Sequence, residues 1–306
     1  NYNPIANYLD GIGEWDGSDH VSSLFNRLPG VSDEMKAYLR IWLRSMVAHW
    51  LQMDTLHGNE CVPVLIGEQG CGKSTFCNRL LPPELRSYFF DHISFSNRFD
   101  LEMALTHALL VNIDEFNVMT PSQMAKLKQN LSKVKVNSRP IFGRTTEDRP
   151  RYSSFIATTN ERHPLCDPTG SRRFLCIEIP SGEFIDNESP IDYAQLYAQI
   201  LHELSLLGTR YWFTRDEENR IQELNSAFMK TDDIDMMIAS SFDLENSESQ
   251  GQWMSGNEVV NVLCRNYSQL KADSGLKLRL GKALRYLGCK AKHTKRGQEY
   301  LLSTRK

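Results

Sequence analysis

Val62-Pro63-Val64-Leu65-Ile66-Gly67-Glu68-Gln69-Gly70-Cys71-Gly72-Lys73-Ser74-Thr75 is the stretch on which the fold turns. The apolar run from Val62 to Ile66 predicts a buried strand, and Thr75-Phe-Cys-Asn-Arg-Leu-Leu predicts a helix. Between them stands G-x-x-x-x-G-K-S, and the order strand, glycine loop, helix is the context that makes this pattern a phosphate-binding loop. The glycines permit backbone geometry that a Cβ blocks. Backbone N–H groups then converge at a helix N-terminus, where the helix dipole favours an anion. The expected nucleotide-binding set is Gly67, Glu68, Gln69, Gly70, Cys71, Gly72, Lys73, Ser74 and Thr75. Lys73 is suited to reach the β- and γ-phosphates and Ser74 to ligate Mg²⁺, so ATP with Mg²⁺ is the expected pair of ligands.

Two further apolar runs end in polar residues. Ala108 to Ile113 predicts a buried strand with Asp114-Glu115 at its tip. Beside a phosphate loop, Asp114 is placed to hold the metal through water and Glu115 to take the proton of an attacking water. Ser154 to Thr159 predicts another strand, with Asn160 at its tip as a hydrogen-bond donor to a γ-phosphate or to that water. Arg172 and Arg173 precede a strand over Phe174 to Ile179. A guanidinium suits charge developing on a phosphate, and in a ring of subunits one of the two is a candidate arginine finger supplied in trans. A structural ion pair is the plainer reading for one of them.

Composition excludes several classes. At 306 residues, 41% hydrophobic and 24% charged, the chain has the make-up of an ordinary globular protein. No apolar run approaches the roughly 20 residues of a membrane span. The seven cysteines form no C-x-x-C pair, which argues against a zinc site and a disulfide framework and for a cytoplasmic setting. Charge is uneven. Residues 251–306 carry 12 Lys and Arg against 3 Asp and Glu, while the rest carries 23 against 35. A basic C-terminal end points to a polyanion partner, against the plainer reading of a solvated surface.

Ser32 or Asp33 is a helix cap, followed by apolar residues from Met35 to Leu51 at helical spacing, with the helix expected to end near Gly58. Tyr88 to Ile93 is a candidate strand. Residues 126–151 hold eight basic residues and two acids. Their alternation around Val134 to Gly143 predicts a hairpin, with Lys133, Lys135, Arg139 and Arg144 as candidate contacts to a nucleic-acid backbone. Domain boundaries are expected at 1–58 (N-terminal helical region), 59–212 (nucleotide domain), 213–250 (acidic helical linker) and 251–306 (basic domain). In the last, helices precede two strands joined at Lys295-Arg296-Gly297, a pattern resembling a winged helix-turn-helix. Lys295 and Arg296, with the helical Lys277, Arg279, Lys282 and Arg285, are candidate DNA contacts.

Taken together, Trp15-Asp16-Gly17, the Leu39 to Trp50 helix, Gly67 to Thr75, Asp114-Glu115, Arg139-Pro140, Thr158-Thr159-Asn160 and Asp167 to Phe174 resemble the virulence-associated protein E family. These are phage, plasmid and genomic-island ATPases allied to superfamily 3 helicases of the AAA+ class. The resemblance spans roughly residues 1–210. It implies an α/β fold: a P-loop ASCE/AAA+ core with a five-stranded parallel sheet of order 5-1-4-3-2 flanked by helices. It also implies Asn160 as sensor and Arg172 or Arg173 as finger. Family members often carry a primase-like N-terminal domain, so a chain beginning at Asn1 is expected to be part of a longer one. The leading expectation is a DNA-dependent ATPase, a replicative helicase or loader of a mobile element. It would act on single-stranded or duplex DNA as a homo-oligomer such as a hexameric ring, with no membrane association. Two other classes compete: a small-molecule phosphotransferase on the same loop, and a DNA-binding or assembly protein switched by nucleotide.

Overall fold

The computed structural model describes residues 4–53, 56–95, 97–138, 145, 147–166, 171–229, 233–244, 251–267, 270–294 and 297–304. The chain divides into two compact units, Asn1–Met229 and Lys230–Lys306.

The first unit begins with α1 (Pro4–Asp10), α2 (His20–Phe25) and α3 (Asp33–Leu51). Ser32 caps α3 by accepting from the Met35 N–H. The helix stops at Leu51, short of Gly58, because Gln52 turns left-handed (φ 52°) and closes on the carbonyls of Ala48 and His49. Next come β1 (Val62–Ile66), α4 (Lys73–Arg79), β2 (Phe89–Phe90), α5 (Arg98–His107), β3 (Leu110–Ile113) and α6 (Pro121–Leu131). The strand expected over 88–93 is only the two residues of β2. Thr120 and Gln123 form a capping box on α6. A hairpin of β4 (Lys135–Ser138) and β5 (Glu147–Pro150) follows, then β6 (Ser154–Thr159), β7 (Phe174–Glu178), α7 (Tyr193–Ser205) and α8 (Arg215–Leu224).

The main sheet runs β2-β3-β6-β1-β7 with every pairing parallel. Counting its strands along the chain, this is the order 5-1-4-3-2. All five residues of β1 are buried, as a central parallel strand covered on both faces requires. Val62, Val64 and Ile66 pack with Leu105, Leu127 and Leu131 of α5 and α6 on one face. Leu65 packs with the α3 and α7 side on the other, where Trp42, Met46 and Ile200 lie. The first 58 residues therefore share a core with the sheet and are not a separate region. The acidic stretch 213–250 is likewise not one linker. Glu218 of α8 pairs with Arg172 in the first unit, while α9 (Asp233–Ser241) belongs to the second.

Arg151 ties the hairpin to this core. Its guanidinium is buried and donates to the carbonyls of Asn130, Leu131 and Lys133 at the end of α6, to Asn59 O and to Ser153 O. Burial pushes its pKa down to about 10, with Glu60 opposing. The Arg151 carbonyl accepts from His49 Nδ1 (3.1 Å), and His49 Nε2 accepts from the Asn59 N–H (2.7 Å).

The second unit holds α9, β8 (Phe242–Asp243), β9 (Gln252–Ser255), α10 (Gly256–Asn266), α11 (Ser274–Tyr286), β10 (Ala291–Thr294) and β11 (Gly297–Thr304). β11 pairs antiparallel with β10 on one edge, and with β9 and β8 on the other. Val259, Leu263, Leu276, Leu280 and Leu284 close its core under Tyr300 and Leu302. No described helix is long and apolar enough to cross a membrane, and all seven cysteines are free.

Replacing Arg151 by Met strands several buried carbonyls at once. The expected cost is about 3 kcal/mol, since an unsatisfied buried acceptor costs roughly 1–3 kcal/mol. Urea unfolding of the two proteins checks this; an unchanged midpoint would show that the guanidinium bears no such load.

Candidate functional site

In a parallel sheet all C-terminal strand ends lie along one edge, and loops there are the usual place for a ligand. Here that edge gathers the loop after β1 and the tips of β3 and β6. Gly70 and Gly72 have φ of +85° and +95°, so a side chain at either is strained. At Gly72 an added Cβ would also lie 2.5 Å from Asn187 Nδ2. Gly67 N donates to Thr159 O, and a Cβ there would meet Ile179 Cβ at 3.0 Å.

Lys73 opens α4 and is buried, although it carries a charge. Its Nζ donates to Gly67 O (2.8 Å), Glu68 O (2.7 Å) and Asn160 Oδ1 (2.9 Å). The structure thus brings together the lysine of the glycine loop and the amide at the tip of β6. Ser74 and Thr75 are exposed on the first turn of α4.

The tip of β3 is built with equal care. Asp114 accepts from Thr158 Oγ1, and Thr159 Oγ1 donates to Asn117 Oδ1 (2.8 Å) while accepting from the Glu161 N–H (3.0 Å). Glu115 has φ 50°, a left-handed conformation that costs a non-glycine residue about 1 kcal/mol or more. The turn is held by Phe116, which is buried against Phe174 with ring centroids 5.0 Å apart. Asp114, Glu115, Asn117, Val118, Thr159, Asn160 and Glu161 line an open cleft of about 280 Å³. Among the described residues no group of three or more His, Cys, Asp or Glu is arranged to hold a metal. The Asp114 carboxylate and the Ser74 hydroxyl are the oxygen donors of this edge that could hold a cation.

Arg172 and Arg173 lie elsewhere. Phe174 pairs with Val62 and Glu178 with Ile66, so the two arginines sit at the N-terminal edge of the sheet, about 13 Å of strand away from the glycine loop. There Arg172 pairs with Glu218 (3.0 Å) and Arg173 with Glu60 (3.8 Å). They do not join the Lys73 cluster of their own chain. Lys133 bonds Asn130 Oδ1 (2.9 Å) and Lys135 is exposed at the start of β4. Arg139, Arg144, Lys295 and Arg296 lie outside the described residues, as do residues 167–170. Thr158 and Thr159 entered the sequence reading only within the Thr158-Thr159-Asn160 motif, without a role of their own, although hydroxyls in an otherwise apolar strand were a signal, and Asn117 did not enter it. The segment after β7, which fastens to the glycine loop, carried no motif at all.

The family model of the Virulence-associated protein E-like domain matches residues 9–230. Among solved structures, the apo A form of the NrS-1 C-terminal region (305–718) is similar, with a TM-score of 0.52 and 12% identity over 96% of this chain and 78% of that one. A further apo structure of the same region gives a TM-score of 0.51 at 12% identity, over 97% and 78%. At this identity the likeness concerns the fold alone. No curated protein sequence matches the chain.

Replacing Lys73 by Ala should abolish binding of a fluorescent ATP analogue at concentrations up to at least about a hundredfold above the wild-type Kd. Binding within about threefold of wild type would separate the lysine from any phosphate contact.

Proposed function

The chain belongs to the virulence-associated protein E-like family, and from that premise we propose that it is a P-loop ATPase whose hydrolysis of ATP is coupled to DNA. The observation that carries this reading is the Lys73 ammonium bonded at once to the glycine loop and to Asn160, beside Asp114 and Glu115. The sheet order supports an ASCE core of the AAA+, superfamily 3 kind.

In this mechanism Lys73 and the loop N–H groups hold the β- and γ-phosphates of the substrate ATP. Ser74 and Asp114 would hold Mg²⁺, which supplies charge neutralisation at the phosphates. Thr158 keeps the Asp114 carboxylate oriented. Glu115 takes the proton of the attacking water, and Asn160 fixes that water or the γ-phosphate once Lys73 releases its amide. Positioning and preorganised charge do most of the work in phosphoryl transfer.

The distance of Arg172 and Arg173 from their own loop favours a finger given to a neighbouring subunit, hence a homo-oligomer, of which a hexameric ring is one form. The second unit, with its helix, two short strands, two helices and hairpin, supports a winged-helix reading. α11 exposes Lys277, Arg279, Lys282 and Arg285 and carries no acid. With Lys133 and Lys135 on the first unit, these are the proposed DNA contacts, and a cytoplasmic helicase or loader of a mobile element is the role they fit.

The test is ATP hydrolysis with and without single-stranded and duplex DNA at two salt concentrations. Stimulation that falls steeply with salt is expected, because phosphate contacts release counterions. Phosphate appearing on a small acceptor, or turnover indifferent to DNA, would overturn the coupling. The Glu115→Gln variant should keep ATP affinity and lose turnover at least about a hundredfold, the usual share of a general base; full turnover would remove that assignment. Mixing Lys73→Ala with Arg172→Ala or Arg173→Ala chains should restore part of the lost hydrolysis for whichever arginine acts in trans. Wild-type rates in both arginine variants alone would discard the finger.

A further inference from the structure

We propose that residues 180–190, the segment leaving β7, form the nucleobase side of the nucleotide site, with Phe184 as the ring on which the base stacks. This rests on the phosphate-loop reading above and adds the direction in which the ligand lies and the residue that meets its base.

Direction follows from strand order. β1 lies between β6 and β7. The residues suited to the terminal phosphate, Asp114, Glu115 and Asn160, come from β3 and β6, all on the same side of β1. A triphosphate with its γ end on that side must carry its base toward the other, over the C-terminal end of β7. Residues 180–190 begin there.

The segment is bonded to the glycine loop along its length. Ile179 N donates to Ile66 O (2.7 Å), Ile185 N to Cys71 O (2.9 Å) and Asn187 Nδ2 to Gly72 O (2.9 Å), and Ser181 Oγ donates to the Glu68 carboxylate. A Cβ at position 72 would lie 2.5 Å from Asn187 Nδ2, and the φ of +95° strains any side chain there. From behind, the Arg27 guanidinium donates to the carbonyls of Asp186 (3.2 Å), Ser189 (2.7 Å) and Pro190 (2.6 Å), and Arg79 also donates to Ser189 O (2.8 Å). Ile185 is buried as an anchor, yet its neighbour Phe184 is 71% exposed. A large apolar ring on a segment pinned on both sides, one residue from a bond to Cys71, is preorganised to meet a planar ligand.

Charge selects which part of the ligand that is. Residues 180–190 contain Glu183, Asp186 and Glu188 and no Lys or Arg. Arg27 offsets Asp186, but Glu183 and Glu188 flank Phe184 and Asn187 and disfavour a phosphate there, whereas the π-face of an uncharged heterocycle stacks on an aromatic side chain whatever the base.

The experiment is calorimetric titration of the full chain with Mg-ATP and with Mg-tripolyphosphate, which has the phosphates and no base. Phe184→Ala should weaken ATP about tenfold, equivalent to about 1.4 kcal/mol, and leave tripolyphosphate unchanged. Phe184→Trp should hold ATP at least as tightly as the wild type. An equal loss for both ligands, no loss for either, or a wild type that binds the two equally would overturn the platform while leaving the phosphate loop intact. A wild type that binds neither ligand would instead overturn the phosphate loop, and the platform with it.

Discussion

A buried ammonium surrounded by neutral oxygens is the constraint from which the arrangement of the first unit follows. Taking a charge out of water is costly unless its hydrogen bonds are replaced. Lys73 meets that requirement with Gly67 O, Glu68 O and Asn160 Oδ1, contacts strengthened by its charge. To supply them, the loop after β1 must curl back on the first turn of α4, and β6 must lie next to β1 with its tip level with the loop. Asp114 reaches the same edge because β3 is the next strand over and Thr158 links the two tips. Ammonium, amide and carboxylate are brought together by strand adjacency, from positions far apart in sequence.

The all-parallel sheet gives the unit two unlike edges. Lysine, amide and carboxylates gather at the C-terminal ends. The arginines gather at the N-terminal ends, each with a carboxylate partner. Partnered guanidinium groups at a surface are preset in direction at little energetic cost, since exposed ion pairs are worth only about 0–1 kcal/mol and can be exchanged.

Much of this was legible in the sequence, and where it was not, the reason is physical. Glycine spacing with an apolar strand before it located the loop, because only glycine tolerates the φ values found at 70 and 72. Apolar runs ending in Asp114 and Asn160 located the other tips, because a strand buried on both faces must be apolar until it emerges. The end of α3 was misjudged by several residues, since nothing in Gln52 as a residue type announces a left-handed cap. The linker expected from 213 was misread from its acidity: α8 is acidic because its outer face is solvated, while Ile221 is buried in the core of the first unit. Arg151 was grouped with surface cations by its neighbours in sequence, whereas burial makes it a structural clamp. The bonds of residues 180–190 to the glycine loop are backbone bonds from a segment without a motif, and such bonds leave no trace in residue identity.

The ring of His49 carries one more consequence. Because the Asn59 N–H points at Nε2, that nitrogen must keep its lone pair, and the proton must sit on Nδ1 facing the Arg151 carbonyl. The imidazole is thereby held in one tautomer, with both nitrogens committed. Asn59 is also the residue whose carbonyl receives the Arg151 guanidinium. At the root of the β4–β5 hairpin one imidazole, one guanidinium and the backbone at Asn59 thus share a single set of bonds.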